Sequence, residues 1–326
     1  MEKRAERENE GGTLPSTKPE CSPLEALLQG VLGQYRRVHD GEVASYIPEL
    51  GKTNPDHFGV CIATVDGEIY EAGDCDVEFT IQCTSKALVY AAALSSHGRE
   101  EISTRVGIEP SGDAFNSIQL DKLNRAFNPM VNAGAISNTG FISGASLEER
   151  RAKLLKLLSD AAGRELSIDD QVYRSVSQTG HRNRAHAWLL TNFDKMDPAT
   201  NMETLELYFM QCWILVTARD LAVMGATLAN TGTPPLTGEN VFDVDCTQDA
   251  LSVMFTCGMY DYAGEWAFHV GIPAKSGVSG GIMGVVNRQL GIGTFFPESI
   301  TASTASAESG PSVTSPMNSD SMSSIS

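Results

Sequence analysis

The chain has 326 residues, of which 41% are apolar, and this is enough to bury the core of one large domain. Its formal net charge of −17 disfavours binding to nucleic acid and to anionic membrane surfaces, because both repel an acidic protein. The sequence contains no run of about 18 apolar residues, so it predicts no transmembrane helix.

The cysteines and histidines do not form a metal-binding pattern. The seven cysteines are odd in number and include no C-x-x-C pair, and the six histidines include no H-E-x-x-H. His181 and His186 are five residues apart, which is not metal-ligand spacing on a helix. The opening MEKRAERENEGG resembles neither a secretory signal nor an acid-poor transit peptide. We therefore expect reduced thiols, no metal site and a cytoplasmic protein.

The predicted elements begin after a polar arm. Residues 1–21 are charged and punctuated by Gly and Pro, which predicts a disordered segment. The string SPLE at 22–25 combines a capping box with Pro at the first helical position, and apolar residues then recur at helical spacing. Asp66-Gly67 predicts a two-residue hairpin turn between strands at 58–65 and 68–70.

The middle of the chain is predicted to be helical, and strands return towards its end. Helices are expected from about Thr84, at 147–161, at 203–214, and from Thr217, with Asp220 as capping partner, to about Gly232; strands are expected at 266–271, 281–286 and 291–296. This order favours an α+β fold with an antiparallel sheet and a helical lobe. Residues 299–326 are dominated by small and polar side chains and predict a disordered tail, so the domain is expected at 22–298.

A nucleophile and a lysine occupy one predicted helix start. Cys83 follows the strand-like segment 77–81, and Lys86 lies three residues later on the same helical face. The helix dipole and the ammonium group both favour a thiolate here. The spacing resembles the S-x-x-K of penicillin-recognising enzymes, with sulfur in place of oxygen. A buried structural cysteine at a helix start would give the same local pattern.

A second string points to the same superfamily. The K-S-G at 275–277 adjoins a predicted strand and resembles the K-[ST]-G of those enzymes. Glycine allows close approach of the backbone, so an N–H from this strand could complete an oxyanion hole with the N–H of the nucleophile. A Gly-rich turn between two strands is the alternative interpretation.

Longer strings resemble a single family in order and spacing over about residues 24–296. They are YIPEL at 46–50, VGIEPSG at 106–112, NPMVNAGAI at 128–136, CGMYD at 257–261 and FHVGIPAKSGV at 268–278. The chain is similar to the glutaminase family that bacterial, kidney-type and liver-type enzymes share. The resemblance implies a β-lactamase-like α+β fold, with an antiparallel sheet flanked by helices plus an all-helical lobe. It also implies hydrolysis of L-glutamine to L-glutamate and ammonia through an acyl-enzyme, no cofactor, and assembly into homodimers or tetramers.

The resemblance further implies roles for individual residues. Cys83 stands where the family has its nucleophilic serine, and Lys86 matches the lysine that deprotonates it. Tyr260 would pass protons near the leaving ammonia. The residues expected to bind the substrate or line its site are Tyr46, Asn132, Asn183, Tyr208, Tyr260 and Val278, the last through its backbone N–H. Packing is the alternative role for each of these side chains.

Two positions depart from the family pattern. The first is Cys83 itself, whose sulfur is larger than the oxygen around which the oxyanion hole is shaped. The second is Val176, seven residues before Asn183, where the family has a glutamate that pairs with the α-ammonium of the substrate. Loss of one partner of a desolvated charge pair costs about 2–5 kcal/mol, or roughly 30- to several thousand-fold in affinity.

Three hypotheses follow. The chain is a slow or altered glutaminase that uses Cys83, an impaired paralogue that acts by assembling with active subunits, or another acyl-transfer enzyme of the superfamily that reacts with β-lactams. The third is the weakest, because the matching strings are those of glutaminases. The departures at Cys83 and Val176 together favour weakened catalysis, and the sequence alone does not separate the first two hypotheses.

Overall fold

Two antiparallel sheets contain the strands. The computed structural model describes residues 22–37, 41, 43–44, 48–169, 173 and 180–298. Within these residues the strands are β1 (Gly59–Thr64), β2 (Ile69–Gly73), β3 (Phe79–Thr80), β4 (Ser167–Ile168), β5 (Ile214–Val216), β6 (Ala274–Ser276), β7 (Gly281–Val286) and β8 (Leu290–Phe295). The larger sheet has the order β2-β1-β8-β7-β6, and the smaller sheet has the order β3-β5-β4.

The helices fall mainly in the long segment between β3 and β6. In the part of the chain that the structure describes they are α1 (Pro23–Tyr35), α2 (Ser85–Ser103), α3 (Asn132–Thr139), α4 (Leu147–Ala162), α5 (His181–Asn192), α6 (Asn201–Cys212), α7 (Ala218–Ala229), α8 (Val244–Cys257) and α9 (Ala263–His269). Short 3₁₀ helices lie at Leu50–Lys52, Gln82–Thr84 and Tyr260–Tyr262.

The larger sheet joins distant segments of the chain. Strand β1 pairs with β8 from Gly59 opposite Phe295 to Thr64 opposite Leu290. The helical segment therefore leaves the sheet after β2 and returns to it at β6. This arrangement is the α+β fold that the sequence predicts, with a helical lobe beside an antiparallel sheet.

Both faces of the larger sheet are covered by helices. On β1, Val60 and Ile62 pack in the same apolar cluster as Trp266 of α9 and residues of α1. Cys61 and Ala63 point to the opposite face and pack on α7. Because successive strand residues face opposite sides, burial on both sides explains why this strand alternates only imperfectly in sequence.

Helix α7 approaches β8 unusually closely because the strand presents glycines to it. A Cβ atom at Gly293 would lie 1.9 Å from the carbonyl oxygen of Ala218, and one at Gly291 would lie 2.1 Å from that of Ala222. Real Cβ atoms do not approach backbone this closely. The two glycines therefore set the distance between the helix and the sheet.

Several predicted elements are confirmed. Helix α1 begins at the capping box formed by Ser22 and Glu25, and α7 begins at a second capping box formed by Thr217 and Asp220. The predicted hairpin between β1 and β2 forms, but its loop has three residues and not two. Ala63 pairs with Ile69 and the N–H of Thr64 donates to the carbonyl of Glu68, which leaves 65–67 as the loop, with Gly67 at a φ of 93°. Helix α6 ends at Cys212, two residues before the predicted end, because Ile214 already pairs in β5.

The strand predicted at 266–271 is wrong. Most of this segment belongs to helix α9, which ends at His269. Trp266 and Val270, four residues apart, both lie in the core, which is helical and not strand spacing. The strand that precedes the K-S-G turn is β6, and it begins at Ala274.

The arm at 1–21 and the tail at 299–326 lie outside the described residues. Within the residues that are described, no helix combines the length and apolar character needed to cross a bilayer.

The close contact between α7 and β8 gives a stability prediction. Gly293→Ala should lower the free energy of unfolding by about 3 kcal/mol or more, because its Cβ meets backbone that cannot yield. Gly33→Ala is the matched control on α1, where a Cβ meets nothing within 4 Å, and it should be neutral or stabilising by up to about 1 kcal/mol. Urea unfolding of the three proteins measures both effects. Equal stabilities would show that the layers can separate at little cost.

Candidate active site

Cys83 lies at a sharp turn between a strand and a helix. Strand β3 is held to β5, and the N–H of Ile81 donates to the carbonyl of Ile214 at 2.8 Å. Gln82 then adopts a positive φ of 46°, and the 3₁₀ helix that contains Cys83 leads directly into α2. Cys83 is buried, with 5% of its surface exposed. The turn thus presents the thiol at the start of the helix.

Lys86 is fully buried one helical turn after Cys83. Its ammonium group donates to the carbonyl of Met130 at 3.1 Å and to Oδ1 of Asn132 at 2.8 Å, and it also bonds to the sulfur of Cys83. A buried ammonium without such acceptors would be strongly destabilising. Lys86 therefore ties the amino end of α3, where Asn132 lies, to the start of α2 beside Cys83.

Three predicted substrate-binding side chains meet at this point. The Nδ2 group of Asn132 donates to Oδ1 of Asn183 at 3.0 Å. The hydroxyl of Tyr208 donates to Oδ1 of Asn132 at 3.3 Å. Helices α3, α5 and α6 thus each contribute one member of the cluster. Asn183 is half-buried, so the cluster reaches the protein surface on its side.

Tyr260 lies between two buried lysines. The ammonium of Lys275 is 3.8 Å from the centre of the tyrosine ring, and that of Lys86 is 5.6 Å from it. Lys275 also donates to the carbonyls of Gly258 at 2.8 Å and Ser276 at 2.7 Å. Tyr260 also contributes to lowering the pKa of the Cys83 thiol. Cation–π contact of this kind is strongest where water is excluded, as it is around these ammonium groups.

Lys275 is a site residue to which the sequence analysis assigned no role. The K-S-G string at 275–277 marks this position in the sequence, but it predicts a role only for backbone N–H groups of the strand. The lysine side chain is fully buried, which is rare for a lysine. Burial, together with the charge of Lys86, lowers its pKa well below the usual value, and the thiolate of Cys83 acts in the opposite direction.

The turn after β6 packs against the nucleophile. A Cβ atom at Gly277 would lie 3.3 Å from the carbonyl oxygen of Ile81 and 3.3 Å from the Thr84 side chain, which flank Cys83 on either side. Val278 follows in this turn and is buried. The absence of a side chain at Gly277 therefore lets this turn lie close to the segment around Cys83.

The thiol of Cys83 differs electrostatically from the other described thiols. Burial alone would raise its pKa, but the ammonium groups of Lys86 and Lys275 and hydrogen bonds from Tyr260 and Lys86 outweigh burial and lower it. Burial raises the pKa of Cys75 to about 11 and that of Cys212 to about 12. It also raises the pKa values of Cys61, Cys246 and Cys257.

Two residues singled out from the sequence lie outside the described residues. They are Tyr46, predicted to line the site, and Val176, which departs from the family pattern. The structure thus brings together Cys83, Lys86, Tyr260, Asn132, Asn183 and Tyr208, and it packs the turn that contains Val278 against the same region.

His186 is a buried neighbour of the site for which the sequence analysis predicted no role. It lies one helical turn after Asn183 on α5 and is 1% exposed. Burial and the nearby charge of Lys86 lower its pKa to about 4. The imidazole is therefore neutral at pH 7.

The fold and the site together define a class of protein. An antiparallel sheet, a helical lobe and a nucleophile-x-x-Lys pair at a helix start are the features of β-lactamase-like acyl-transfer enzymes. Residues 41–308 match the family model described as Glutaminase. The chain belongs to the glutaminase family.

Named relatives are similar over most of the chain. The glutaminase of Trichormus variabilis is 51% identical over 277 residues, which are 85% of this chain and 83% of that protein. Glutaminase 2 of Bradyrhizobium diazoefficiens is 52% identical over 287 residues, 88% of this chain, but the match spans only 46% of that longer protein.

Solved structures of glutaminases have the same fold. The probable glutaminase ybaS matches with a TM-score of 0.84 and 33% identity, and the match covers 93% of this chain and 95% of that one. Mglu in its glutamate form matches with a TM-score of 0.80 and 42% identity, over 85% of this chain and 64% of that one.

The electrostatics of the thiols predict selective alkylation. Limited iodoacetamide treatment should label Cys83 first, because it alone among the described thiols combines a lowered pKa with two neighbouring ammonium groups. Lys86→Met should slow that labelling at least tenfold at pH 7, since it removes the nearer positive charge. Peptide mapping measures both results. Preferential labelling of Cys212 or Cys257 would show that the site is closed to the reagent.

The buried imidazole of His186 predicts a loss of stability in acid. Its pKa is about 4 in the folded state and about 6.5 when unfolded, so the unfolded state takes up a proton first as pH falls. The free energy of unfolding should therefore decrease between pH 6.5 and 4, by roughly 3 kcal/mol at most from this group. His186→Leu should flatten this dependence in urea titrations. The exposed His181→Gln is the control, and an equal flattening in both variants would contradict the assignment.

Proposed function

We propose that this chain hydrolyses L-glutamine to L-glutamate and ammonia through a thioester on Cys83. The observation that carries the proposal is the position of Cys83 at a helix start, one turn before the buried Lys86, in a site where Lys86 and Lys275 lie 5.6 and 3.8 Å from the ring of Tyr260. Membership of the glutaminase family supports the substrate and the reaction.

In the proposed acylation, the sulfur of Cys83 attacks the side-chain amide carbon of glutamine. The carbon–nitrogen bond then breaks, and ammonia leaves with a proton that Lys86 supplies through the hydroxyl of Tyr260. The backbone N–H groups of Cys83 and Val278 would stabilise the oxyanion. In the second step Lys86 accepts a proton from water, which attacks the thioester and releases glutamate and the thiolate.

The amino-acid end of glutamine is proposed to bind at the asparagine cluster. Asn132, Asn183 and Tyr208 already bond to one another there, and each supplies polar atoms that a bound substrate could share. The resemblance adds Tyr46 to this set. Val176 stands where a glutamate would pair with the α-ammonium group, so recognition of that group rests on the neutral side chains.

The alternative of a catalytically impaired paralogue finds no support in the comparisons. Relatives at about 50% identity over most of the chain are glutaminases by name. A thiolate is a strong nucleophile, and the buried cations that would activate it are present. A β-lactam-reactive enzyme remains the weakest hypothesis, because the chain matches the glutaminase family and its structures.

The surroundings of the enzyme are also proposed from the resemblance and the composition. We propose a cytoplasmic homo-oligomer, either dimer or tetramer, that acts on a free small molecule. The reaction as written uses side-chain and backbone groups only.

Substitutions at Cys83 and Val176, the two positions that depart from the family pattern, should affect turnover and substrate binding separately. Wild type should release ammonia from glutamine with a high KM, and Cys83→Ala should abolish the release. Cys83→Ser should raise kcat and leave KM high, because the oxyanion hole of the family is shaped around oxygen. Val176→Glu should lower KM at least about tenfold, because it restores a partner for the α-ammonium group. The two changes act on different steps, so the double variant should combine both effects.

Saturation kinetics with glutamine on the wild type, both single variants and the double variant measure these effects. No ammonia from either wild type or Cys83→Ser would refute glutaminase activity. An unchanged KM in Val176→Glu, with turnover restored by Cys83→Ser, would refute only the placement of residue 176 beside the substrate.

A further inference from the structure

The peptide that precedes the nucleophile is in a strained conformation. Gln82 has a φ of 46°, in the left-handed region that residues other than glycine seldom occupy. Such a conformation costs on the order of 1–3 kcal/mol and persists only where the surroundings hold it. The groups that hold Gln82 therefore influence how Cys83 is presented.

A chain of buried hydrogen bonds holds the carbonyl of Gln82. The hydroxyl of Ser85 donates to this carbonyl at 2.7 Å, and the backbone N–H of Ser85 also points to it. The Ser85 hydroxyl in turn accepts from Nε2 of Gln211 at 2.9 Å. The hydroxyl of Thr139 lies 2.9 Å from Oε1 of Gln211 and 2.9 Å from the carbonyl oxygen of Ala135, and its single proton is shared between these two acceptors.

This chain of groups connects three helices. Ser85 lies at the start of α2, Gln211 near the end of α6 and Thr139 at the end of α3, and all three are fully buried. The two donors nearest to Cys83, Nε2 of Gln211 and the hydroxyl of Ser85, both point toward the Gln82 carbonyl. Hydrogen bonds that share a direction polarise and strengthen one another.

The held carbonyl belongs to the same peptide unit as the N–H of Cys83. A trans peptide is planar, so its N–H points opposite to its C=O. Fixing the direction of the Gln82 carbonyl therefore also fixes the direction of the Cys83 N–H. Polarisation of the carbonyl also makes that N–H a better donor.

We infer that Ser85 and Gln211 are positioning residues that orient the backbone N–H of Cys83 as an oxyanion donor. This inference rests on the proposed function, in which that N–H stabilises the oxyanion during acyl transfer. Removal of a single oxyanion-hole donor typically costs about 100- to 1000-fold in kcat. A misdirected donor should cost part of that factor.

The test compares two reactions of Cys83 that differ in their need for an oxyanion hole. Acylation by p-nitrophenyl acetate passes through an oxyanion, and alkylation by iodoacetamide does not. Ser85→Ala and Gln211→Met should slow acylation of Cys83 at least tenfold and leave its alkylation rate and the pH dependence of alkylation within twofold. Release of p-nitrophenol and mass spectrometry of the Cys83 peptide measure the rates, with Cys83→Ala as the blank.

Thr227→Val is the matched control. It removes a fully buried hydroxyl that donates to the carbonyls of Ala161 and Val223 on α4 and α7, remote from the Gln82 carbonyl. It should change neither rate. If Ser85→Ala fails to fold, Gln211→Met and Thr139→Val carry the test.

Three results would overturn the inference. Acylation at the wild-type rate in the folded variants would show that the bonded chain does not orient the N–H. Parallel loss of acylation and alkylation would show a general disturbance of the site. Alkylation of the wild type without any acylation would show that the site has no working oxyanion hole. Failure to hydrolyse glutamine, with normal acylation by the ester, would instead refute the proposed function and leave this inference standing.

Discussion

The site depends on how two buried ammonium groups interact with one aromatic ring and one sulfur atom. Lys86 and Lys275 repel each other, and burial disfavours both charges, yet neither side chain reaches water. The face of the Tyr260 ring and the thiolate of Cys83 both carry negative potential, and this offsets the cost of the two buried charges. Backbone carbonyls also accept hydrogen bonds from both ammonium groups. Removing any member of this group weakens the compensation of the charges that remain.

This constraint explains why distant segments converge. Lys86 and Cys83 come from the start of α2, Lys275 comes from strand β6, and Tyr260 comes from the 3₁₀ helix between α8 and α9. The sheet fixes β6 beside the turn of Cys83, and the helical lobe supplies the asparagine cluster from its own helices. The site therefore forms only when the sheet and the lobe are both folded.

The local part of this organisation is predictable from sequence. The spacing of Cys83 and Lys86, the capping boxes and the turn at Gly67 depend on neighbouring residues, and the structure has all of them. The partners of Lys275 and Gln211 lie far along the chain, so no local pattern reveals them. The sequence predicts a strand where helix α9 forms, because a short apolar run fits the spacing of a strand and of a helix alike, and only its packing partners distinguish them. The resemblance pointed to Asn132, Asn183 and Tyr208, but it did not point to the side chains of Lys275 or Gln211.

The glycines of β8 also have a mechanical consequence. Because Gly291 and Gly293 bring the strand backbone against that of α7, no side chain lies between them to absorb a relative displacement. Helix α7 follows β5 directly, and β5 holds the segment that leads into Gln82. A shift of the strand at the centre of the sheet would thus pass, through rigid backbone contacts, to the turn that contains Cys83. The back of the sheet and the sulfur of Cys83 would then move together.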